Sequence, residues 1–307
     1  MKQPVVIGTR GSLLSLKQVD EVVEGLKGLH PDRAFEIRTI TTLGDRDRKA
    51  PISRFGSKGV FVAELEKHLE EGAVDIAVHS AKDMSSENLP GFHIAAVPPR
   101  KDPRDVLVTS DSVPLARLPD GARLGSGSPR RAVQLKAVRP GLQVLEIRGN
   151  IDTRIEKVRR GDYDGAVLAA AGLIRMGWQD RITEYLPVEM CLPAVGQGAL
   201  AVEVRADDEE SRRLVEGLDH PPSRKAVEAE RALLRYMGGG CLAPITAYGC
   251  YEDGSLRLRG MVANPTSNEI IRAEIKSGDK SPEDLGALLA EKLVSLGAAE
   301  VLGRVVT

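Results

Sequence analysis

The sequence predicts an α/β protein with two similar α/β lobes around a central cleft, followed by a small C-terminal α+β domain. Over residues 3–97, short apolar strands alternate with helical segments, as in a parallel or mixed sheet covered on both faces. A weak internal repeat relates residues 72–78 to residues 161–167, each copy following a charged helix. After Pro221 the pattern changes to a helix, a group of strands with turn signals between them, and a final helix.

The first lobe is expected to begin with strands and helices in alternation. Apolar runs predict strands at residues 5–7, 34–41, 74–78 and 93–97. Apolar residues at helical spacing predict helices at residues 13–29 and 60–70. The second copy of the repeat indicates that a lobe of similar fold follows.

Two segments are expected to connect the lobes. The proline-rich stretch from Pro98 to Pro103 has the composition of a semi-rigid hinge. A second crossing is expected near residues 192–198, before a strand at 199–204 that returns to the first lobe. Two lobes with two crossings form a cleft, the usual place for a small ligand. The predicted domains are residues 1–98 with 199–218, residues 99–198, and residues 219–307.

The C-terminal domain has its own start and stop signals. A helix predicted at residues 223–237 ends at three glycines. Strands are expected at residues 245–251, 256–262 and 269–275. Ser281 is suited to be an N-cap, with Pro282 at the first helical position and acidic residues in the first turn. The last helix is expected to run to about Leu296.

The bulk composition excludes several classes of protein. The formal net charge of the 307 residues is −1, which gives no overall bias toward nucleic acid or acidic membranes. Aromatic residues make up 3%, too few for platforms on which bases stack. Three cysteines without a CxxC motif indicate a reducing compartment rather than a disulfide framework. With no signal-peptide core and no apolar run of membrane-spanning length, we expect a soluble, cytoplasmic protein.

Cys241 follows three consecutive glycines, Gly238 to Gly240. Glycines in a row do not form a stable helix or strand, and they leave the next side chain accessible. One interpretation is a reactive cysteine on a flexible tether. The other is a small buried residue in a turn, because free cysteine is among the most buried residue types. The stretch alone does not separate the two.

The second lobe carries a local excess of positive charge. Between Arg123 and Arg175 there are eleven Lys and Arg residues and five Asp and Glu residues, and arginine suits bidentate binding of carboxylate or phosphate. Ser128 can cap a helix that begins with proline, and Arg130 and Arg131 then make that helix start an anion site. Two more arginines, at 159–160, are interpreted as a solvated helix end.

Three charged residues lie close to the ends of predicted strands, where α/β sheets present ligand groups. Arg10 ends the first strand, and Arg148 follows a strand predicted at residues 143–147. Asp83 comes just after the strand at 74–78, where a carboxylate could bind a cation or transfer a proton. An N-cap or an ion pair with Lys82 would explain Asp83 equally well.

No motif for a metal, a nucleotide or a serine nucleophile is present in the sequence. The five histidines are scattered without an HExxH pattern, so no metal is expected. There is no Walker A motif, and the GxG sequences at 125–127 and 196–198 lack the dinucleotide-binding context. No GxSxG sequence occurs.

Taken together, the motifs resemble those of the porphobilinogen deaminases, also called hydroxymethylbilane synthases. They occur in the family's order over nearly the whole chain. The matching segments are Thr9-Arg10-Gly11-Ser12, 42–45, 56–61, His79-Ser80-Ala81-Lys82-Asp83, Arg130-Arg131, 148–154, 168–175, 197–200 and Gly239-Gly240-Cys241 with Pro244.

The resemblance implies a fold, a cofactor and a reaction. It implies two lobes like those of periplasmic binding proteins and a third domain whose Cys241 carries a dipyrromethane cofactor through a thioether. The enzyme would join four porphobilinogen molecules head to tail, releasing ammonia each time, and water would then release hydroxymethylbilane. The resemblance also implies a monomer, while the near-neutral charge and low aromatic content give no reason to expect a nucleic-acid or membrane partner.

The same resemblance implies roles for individual residues. Asp83 would assist protonation of the leaving amine and then stabilise the azafulvene cation. The implied cofactor-binding residues are Cys241, Lys82, Asp83, Ser128, Arg130 and Arg131. The implied substrate-binding residues are Arg10, Ser12, Lys58, Ser80, Arg148, Arg154 and Arg175. Lys58 falls in a segment, 42–58, that resembles the family's mobile segment over the cleft.

Departures from the family pattern are local. The family usually has Leu at Ala81, Val-Pro at 84–85, and Thr-Ser-Ser with an aliphatic residue where this chain has Ser-Gly-Ser-Pro at 126–129. None removes a charged catalytic group, so activity is expected. A bilobal binding protein for an anionic metabolite would also explain the lobes and arginines, but not Asp83 or Cys241. A nucleic-acid-binding module is disfavoured by the low aromatic content.

Overall fold

The structure is a computed structural model that describes residues 3–42, 62–87, 90–238 and 244–303. The chain divides into two compact units, Met1–Lys101 with Ala199–Arg224 and Asp102–Gly198 with Lys225–Thr307. Within these described ranges, the first unit contains one sheet and the second contains two. The predicted division into three domains stays a prediction.

Strands and helices are numbered in chain order. The strands are β1 (Val5–Arg10), β2 (Phe35–Ile40), β3 (Ile76–Ser80), β4 (Phe92–Ala96), β5 (Asp105–Thr109), β6 (Arg123–Gly125), β7 (Gln143–Leu145), β8 (Gly165–Ala169), β9 (Glu184–Tyr185), β10 (Leu200–Arg205), β11 (Ile245–Glu252), β12 (Ser255–Ala263) and β13 (Ile270–Lys276). The helices are α1 (Leu13–Leu29), α2 (Ala63–Glu70), α3 (Pro129–Val138), α4 (Ile151–Arg159), α5 (Ala170–Arg175), α6 (Glu209–Glu216), α7 (Pro221–Tyr236), α8 (Pro282–Ser295) and α9 (Ala298–Gly303).

The sheet of the first unit has the strand order β2-β1-β3-β10-β4. β1 is parallel to β2 and to β3, whereas β10 is antiparallel to β3 and β4. Val19, Val22 and Leu26 of α1 are buried against one face, and Leu65 and Leu69 of α2 are buried in the cluster on Val74 and Ala77. The prediction that the strand after residue 198 returns to the first lobe is confirmed by β10.

The first sheet of the second unit repeats this topology. Its order is β7-β6-β8-β5-β9, with β6 parallel to β7 and β8, and β5 antiparallel to β8 and β9. The two copies of the sequence repeat end within β3 and β8, and each follows its charged helix, α2 or α4. The α/β fold class and the similarity of the two sheets are therefore confirmed.

The third sheet, β11-β12-β13, is antiparallel throughout and packs against α8. Ser281 caps α8 as expected, since its side chain accepts a hydrogen bond from the backbone N of Asp284. Gly286 lets α8 approach α7 closely, because a Cβ there would overlap Ala232. The predicted C-terminal α+β arrangement is confirmed.

Three strands were not predicted from the sequence. β5 follows the proline-rich hinge, β6 has only three residues, and β9 has only two. All five residues of β5 are buried, which is typical of a strand with neighbours on both sides. Among the described helices, none is long and apolar enough to span a bilayer.

Candidate active site

In the first unit, the predicted site residues lie at one edge of the sheet. Arg10 is the last residue of β1 and Ser80 is the last residue of β3. Because the two strands are parallel and paired at Gly8 and Ala77, these two ends reach the same edge. The sequence prediction that strand ends gather charged groups is met here by Arg10.

The serines of this edge are held by α1. Ser12 is the N-cap of α1, and its Oγ accepts a hydrogen bond from the backbone N of Ser15 over 3.1 Å. Ser80 Oγ accepts a hydrogen bond from Nε2 of the buried Gln18 over 2.7 Å. Both hydroxyl oxygens therefore accept a hydrogen bond from a residue of α1.

Asp83 ends a short 3₁₀ turn, Ala81–Asp83, that begins directly after β3. The turn is anchored because Ala81 is buried and its N–H donates to the carbonyl of Ala199 over 3.1 Å. Asp83 itself is half-buried, while Lys82 is exposed. Within the described ranges, the Asp83 carboxylate forms neither an N-cap nor an ion pair with Lys82. It therefore remains available to a ligand.

In the second unit, the predicted arginines also gather at the carboxyl end of parallel strands. β6 leads into Ser126–Ser128 and the start of α3, and β7 leads into Arg148 and the start of α4. β5 runs the other way, so that its first residue, Asp105, pairs with Ala169 at the end of β8. Asp105 therefore lies at the same edge of this sheet.

Arg130 and Arg131 are buried and share the carboxylate of Asp105. Arg130 Nη1 lies 2.8 Å from Asp105 Oδ2, and Arg131 Nη2 lies 2.7 Å from Oδ1. Arg131 Nε also donates to Oδ1 over 3.0 Å. The exposed fractions are 6% for Arg130, 7% for Arg131 and 0% for Asp105, so water does not screen these contacts.

This cluster keeps a net positive charge. Burial alone would raise the pKa of Asp105, but the guanidinium groups of Arg130 and Arg131 outweigh it and hold that pKa well below its usual range. One carboxylate is therefore ionised beside two guanidinium groups. Sequence reasoning missed Asp105. A charged residue at the head of an apolar run, in a lobe rich in arginine, was the available signal.

Arg154 adds a further positive charge. Its Nε donates to the carbonyl of Gly149 over 2.8 Å, and it has no acidic partner among the described residues. Burial, with the nearby charges of Arg131 and Arg148, lowers the pKa of Arg154 to about 10. Arg148 is itself paired with Glu146, whose Oε1 lies 2.7 Å from its Nε. A half-buried guanidinium that other arginines destabilise is a fitting site for an anion.

The remaining predicted residues of the second unit are placed as follows. Ser128 is the N-cap residue of α3 by conformation, but its side chain makes no capping hydrogen bond. Its backbone N–H donates to Oγ of the buried Ser126 over 3.3 Å. Arg175, at the end of α5, donates from Nη2 to the carbonyl of Gly198 over 3.1 Å. Ser126 is thus engaged in shaping the loop.

Two predicted residues, Lys58 and Cys241, lie outside the described residues. The same holds for residues 43–61 and for Gly239 and Gly240. Arg159 and Arg160, interpreted as a solvated helix end, are exposed and are paired with Glu156 and Asp162.

Two family models match the chain. "Porphobilinogen deaminase, dipyromethane cofactor binding domain" covers residues 5–213, and "Porphobilinogen deaminase, C-terminal domain" covers residues 224–295. The chain belongs to the porphobilinogen deaminase family. The dipyrromethane cofactor implied by the sequence motifs is confirmed at the level of the family.

Curated relatives of the family match over nearly their full length. The porphobilinogen deaminase of Syntrophus aciditrophicus is 45% identical over 96% of this chain and 97% of the relative. That of Thermus thermophilus is 46% identical over 98% of this chain and 99% of the relative. A TRAP periplasmic solute binding protein of Pseudomonas putida aligns at 12% identity, with a TM-score of 0.39 over 71% of this chain and 78% of that one. Membership of this family supports an enzyme, a transferase of tetrapyrrole biosynthesis, over a binding protein without catalysis.

Proposed function

We propose that this chain joins four porphobilinogen molecules head to tail onto a dipyrromethane primer, and that water then releases hydroxymethylbilane. The observation that carries the proposal is the buried cluster of Arg130, Arg131 and Asp105, with Arg154 beside it. Each porphobilinogen has an acetate and a propionate group, so the growing chain is a polyanion. A buried site with excess guanidinium groups is suited to bind such a chain.

The donor set fits the carboxylates of the cofactor. Arg131 uses three of its five N–H groups within the described residues, so that two remain for a ligand. The Nε and Nη2 groups of Arg130 likewise have no partner there. We assign the carboxylates of the cofactor to Arg130, Arg131, Ser128 and Lys82, and its attachment to Cys241. When bound, the cofactor supplies a permanently attached pyrrole to which the first substrate is joined.

Asp83 is the catalytic group in this proposal. Its carboxyl, when protonated, gives its proton to the amino group of porphobilinogen, and the C–N bond then breaks with its electron pair leaving on ammonia. The carboxylate that results stabilises the cation left on the substrate and accepts hydrogen bonds from pyrrole N–H groups. The absence of an ion pair to Lys82 supports this role, because the carboxyl is not committed to a neighbour.

In this proposal the substrate carboxylates are bound by the residues that the family resemblance assigns to them. They are Arg10, Ser12, Lys58, Ser80, Arg148, Arg154 and Arg175. Arg154 is the best supported of these, since its terminal N–H groups have no partner among the described residues. Glycines 238–240 would let the tethered cofactor shift as the chain lengthens.

We further propose that the protein acts as a cytoplasmic monomer with the three domains predicted from the sequence. Cys191 and Cys250 are both free thiols, which suits a reducing compartment. In this proposal the binding partner of the protein is its substrate, porphobilinogen.

Intact mass spectrometry tests the proposal. Protein purified with its cofactor should carry a covalent increment of two pyrrole units, and incubation with porphobilinogen should release ammonia and hydroxymethylbilane. The increment should be absent in Cys241→Ser and retained in Cys250→Ser, a matched control at a free thiol. An unmodified wild-type mass together with no ammonia would show that the chain does not catalyse this reaction.

A further inference from the structure

We propose that Asp105 is a positioning residue, which orients Arg130 and Arg131 for the carboxylates of the cofactor and substrate. The inference rests on the proposed function, because it concerns how the same site binds its ligand. Asp105 matches none of the motifs that carry the family resemblance, and its role follows from its contacts alone.

The Asp105 carboxylate is surrounded by donors on both oxygens. Oδ1 accepts from Arg131 Nε and Nη2 and from Gln197 Nε2, the last over 2.8 Å. Oδ2 lies 2.8 Å from Arg130 Nη1 and accepts from the thiol of Cys191 over 3.2 Å. Each arginine is thereby tied to one side of a single carboxylate.

The backbone that carries Asp105 is fixed as well. The residue pairs with Ala169 of β8, and its carbonyl accepts the backbone N–H of Leu186 over 2.9 Å. The arginines, by contrast, sit on the first turn of α3, and α3 has no side-chain N-cap bond to hold that turn. Strand β5, which is paired on both sides, thus holds the Asp105 carboxylate in place, and the two long arginine side chains are oriented by it.

Backbone carbonyls also hold each guanidinium. Arg131 Nη1 donates to the carbonyl of Val167 over 3.0 Å, and Arg130 Nη1 donates to the carbonyl of Leu192. These contacts leave the remaining N–H groups of each arginine in one orientation. Binding groups held in place before the ligand arrives lose less freedom when it binds.

Charge and geometry make opposite predictions for this residue. If Asp105 acted only through its negative charge, Asp105→Asn would leave two uncompensated guanidinium groups and strengthen anion binding. If it acts by orientation, Asp105→Asn weakens binding, because the amide keeps only one acceptor oxygen and its Nδ2 group cannot accept from the second arginine. Asp105→Glu separates the two further, since it keeps the charge and displaces the carboxylate from its contacts with Arg130 and Arg131.

The experiment compares Asp105→Asn and Asp105→Glu with Asp120→Asn in the full-length protein. Asp120 is an exposed acid of the same unit, 3.4 Å from Arg139. Intact mass gives the fraction of chains that carry the covalent increment, and steady-state kinetics gives KM and kcat separately. We expect both Asp105 variants to lower kcat/KM for porphobilinogen about a hundredfold, mainly through KM, and to reduce the loaded fraction. Asp120→Asn should match wild type.

Three outcomes would overturn the inference. The first is a lower KM in Asp105→Asn, and the second is wild-type kinetics and a wild-type loaded fraction in Asp105→Glu. The third is a fall in Tm in the Asp105 variants with no change in KM or in the loaded fraction. If neither Asp105 variant folds, Arg131→Lys is decisive, because it keeps the charge and loses the two-pronged contact, and a wild-type KM would then refute the orientation role. Wild-type protein in the same assay separates this test from the proposed function. Failure of the wild type to turn over porphobilinogen would reject the function itself.

Discussion

Arg154 is held by the backbone of Gly149, whose carbonyl oxygen lies 2.8 Å from the Arg154 Nε. Gly149 has a φ of +110°, a conformation that favours glycine. The carbonyl can therefore point at the arginine of the following helix only because residue 149 lacks a side chain. This relationship joins the loop after β7 to the anion-binding edge of the second unit.

Gly149→Ala should impair both stability and substrate binding. A Cβ at this position would come within 2.7 Å of Thr153 Cγ2, in addition to the cost of the positive φ. We expect a loss of about 1–3 kcal/mol in the free energy of unfolding and a higher KM for porphobilinogen. Gly161→Ala is the matched control, since Gly161 has a φ of +80° but open space around it. An unchanged KM in Gly149→Ala would show that this loop does not position Arg154 for the substrate.

Arg154→Met should raise stability while weakening substrate binding. The pKa of Arg154 is lowered to about 10 by burial and by Arg131 and Arg148, so the charged form is less favourable in the folded state than in the unfolded chain. That cost is present below a pH of about 10 and is relieved as the pH rises through that value. Removing the charge should therefore stabilise the fold at neutral pH by about 1 kcal/mol, after allowing for solvent screening.

The same variant can be tested by its KM, which would stay unchanged if Arg154 had only a structural role. We expect KM for porphobilinogen to rise in Arg154→Met at neutral pH. In wild type, KM should rise as the pH approaches about 10, where Arg154 begins to lose its proton. Urea unfolding and KM against pH measure the two effects. A lower melting temperature together with a normal KM in Arg154→Met would contradict both the expected gain in stability and the expected loss of substrate binding.

Asp83→Ala should retain the fold and ligand binding but lose turnover. Proton transfer by a positioned group typically contributes about 10²–10⁴-fold to a rate, and kcat should fall by that order. Asp207→Asn, at an exposed acid of the same unit, serves as the control. Ammonia release and thermal melting are the measurements. Full activity in Asp83→Ala would remove Asp83 from its proposed role.

Cys191 should be unreactive in the native protein at mildly alkaline pH. Burial, with the charge of Asp105, raises the pKa of the Cys191 thiol to about 12, so almost no thiolate is present. Alkylation followed by mass spectrometry should label Cys191 only after unfolding. Because the folded state holds this proton more tightly, its contribution to stability should decline between a pH of about 9 and 12. Rapid labelling of the native protein would show that the thiol is not buried as described.

The elements that could be predicted from the sequence are those defined by local signals. The bounds of α1 coincide with the prediction because an amphipathic run follows the N-cap Ser12. β7 is shorter than predicted, ending at Leu145, and the buried β5, which follows the proline-rich hinge, was not predicted. Strand ends are least reliable in a sequence because pairing with neighbours, and not the strand itself, decides where the ladder stops.

The residues of the candidate site also fall into those that local signals predicted and those that they did not. Asp83, Arg130, Arg131 and Arg148 could be picked out because their residue types follow strands or begin helices, and the family motifs added their roles. Asp105, the partner that Arg130 and Arg131 share, could not be predicted, since it lies 26 positions from Arg131 in the chain. The lowered pKa of Arg154 likewise depends on its burial and on the charges that folding brings near it.

The sequence by itself determined the α/β class, the repeat, the family and the residue types that carry the chemistry, because each is a local pattern or a motif in order. Only the tertiary structure decided that Arg130 and Arg131 share one buried carboxylate, and that Arg154 lacks one among the described residues. The physical reason is that electrostatic interactions depend on distance and burial, which follow from how strands pair and helices pack rather than from chain order.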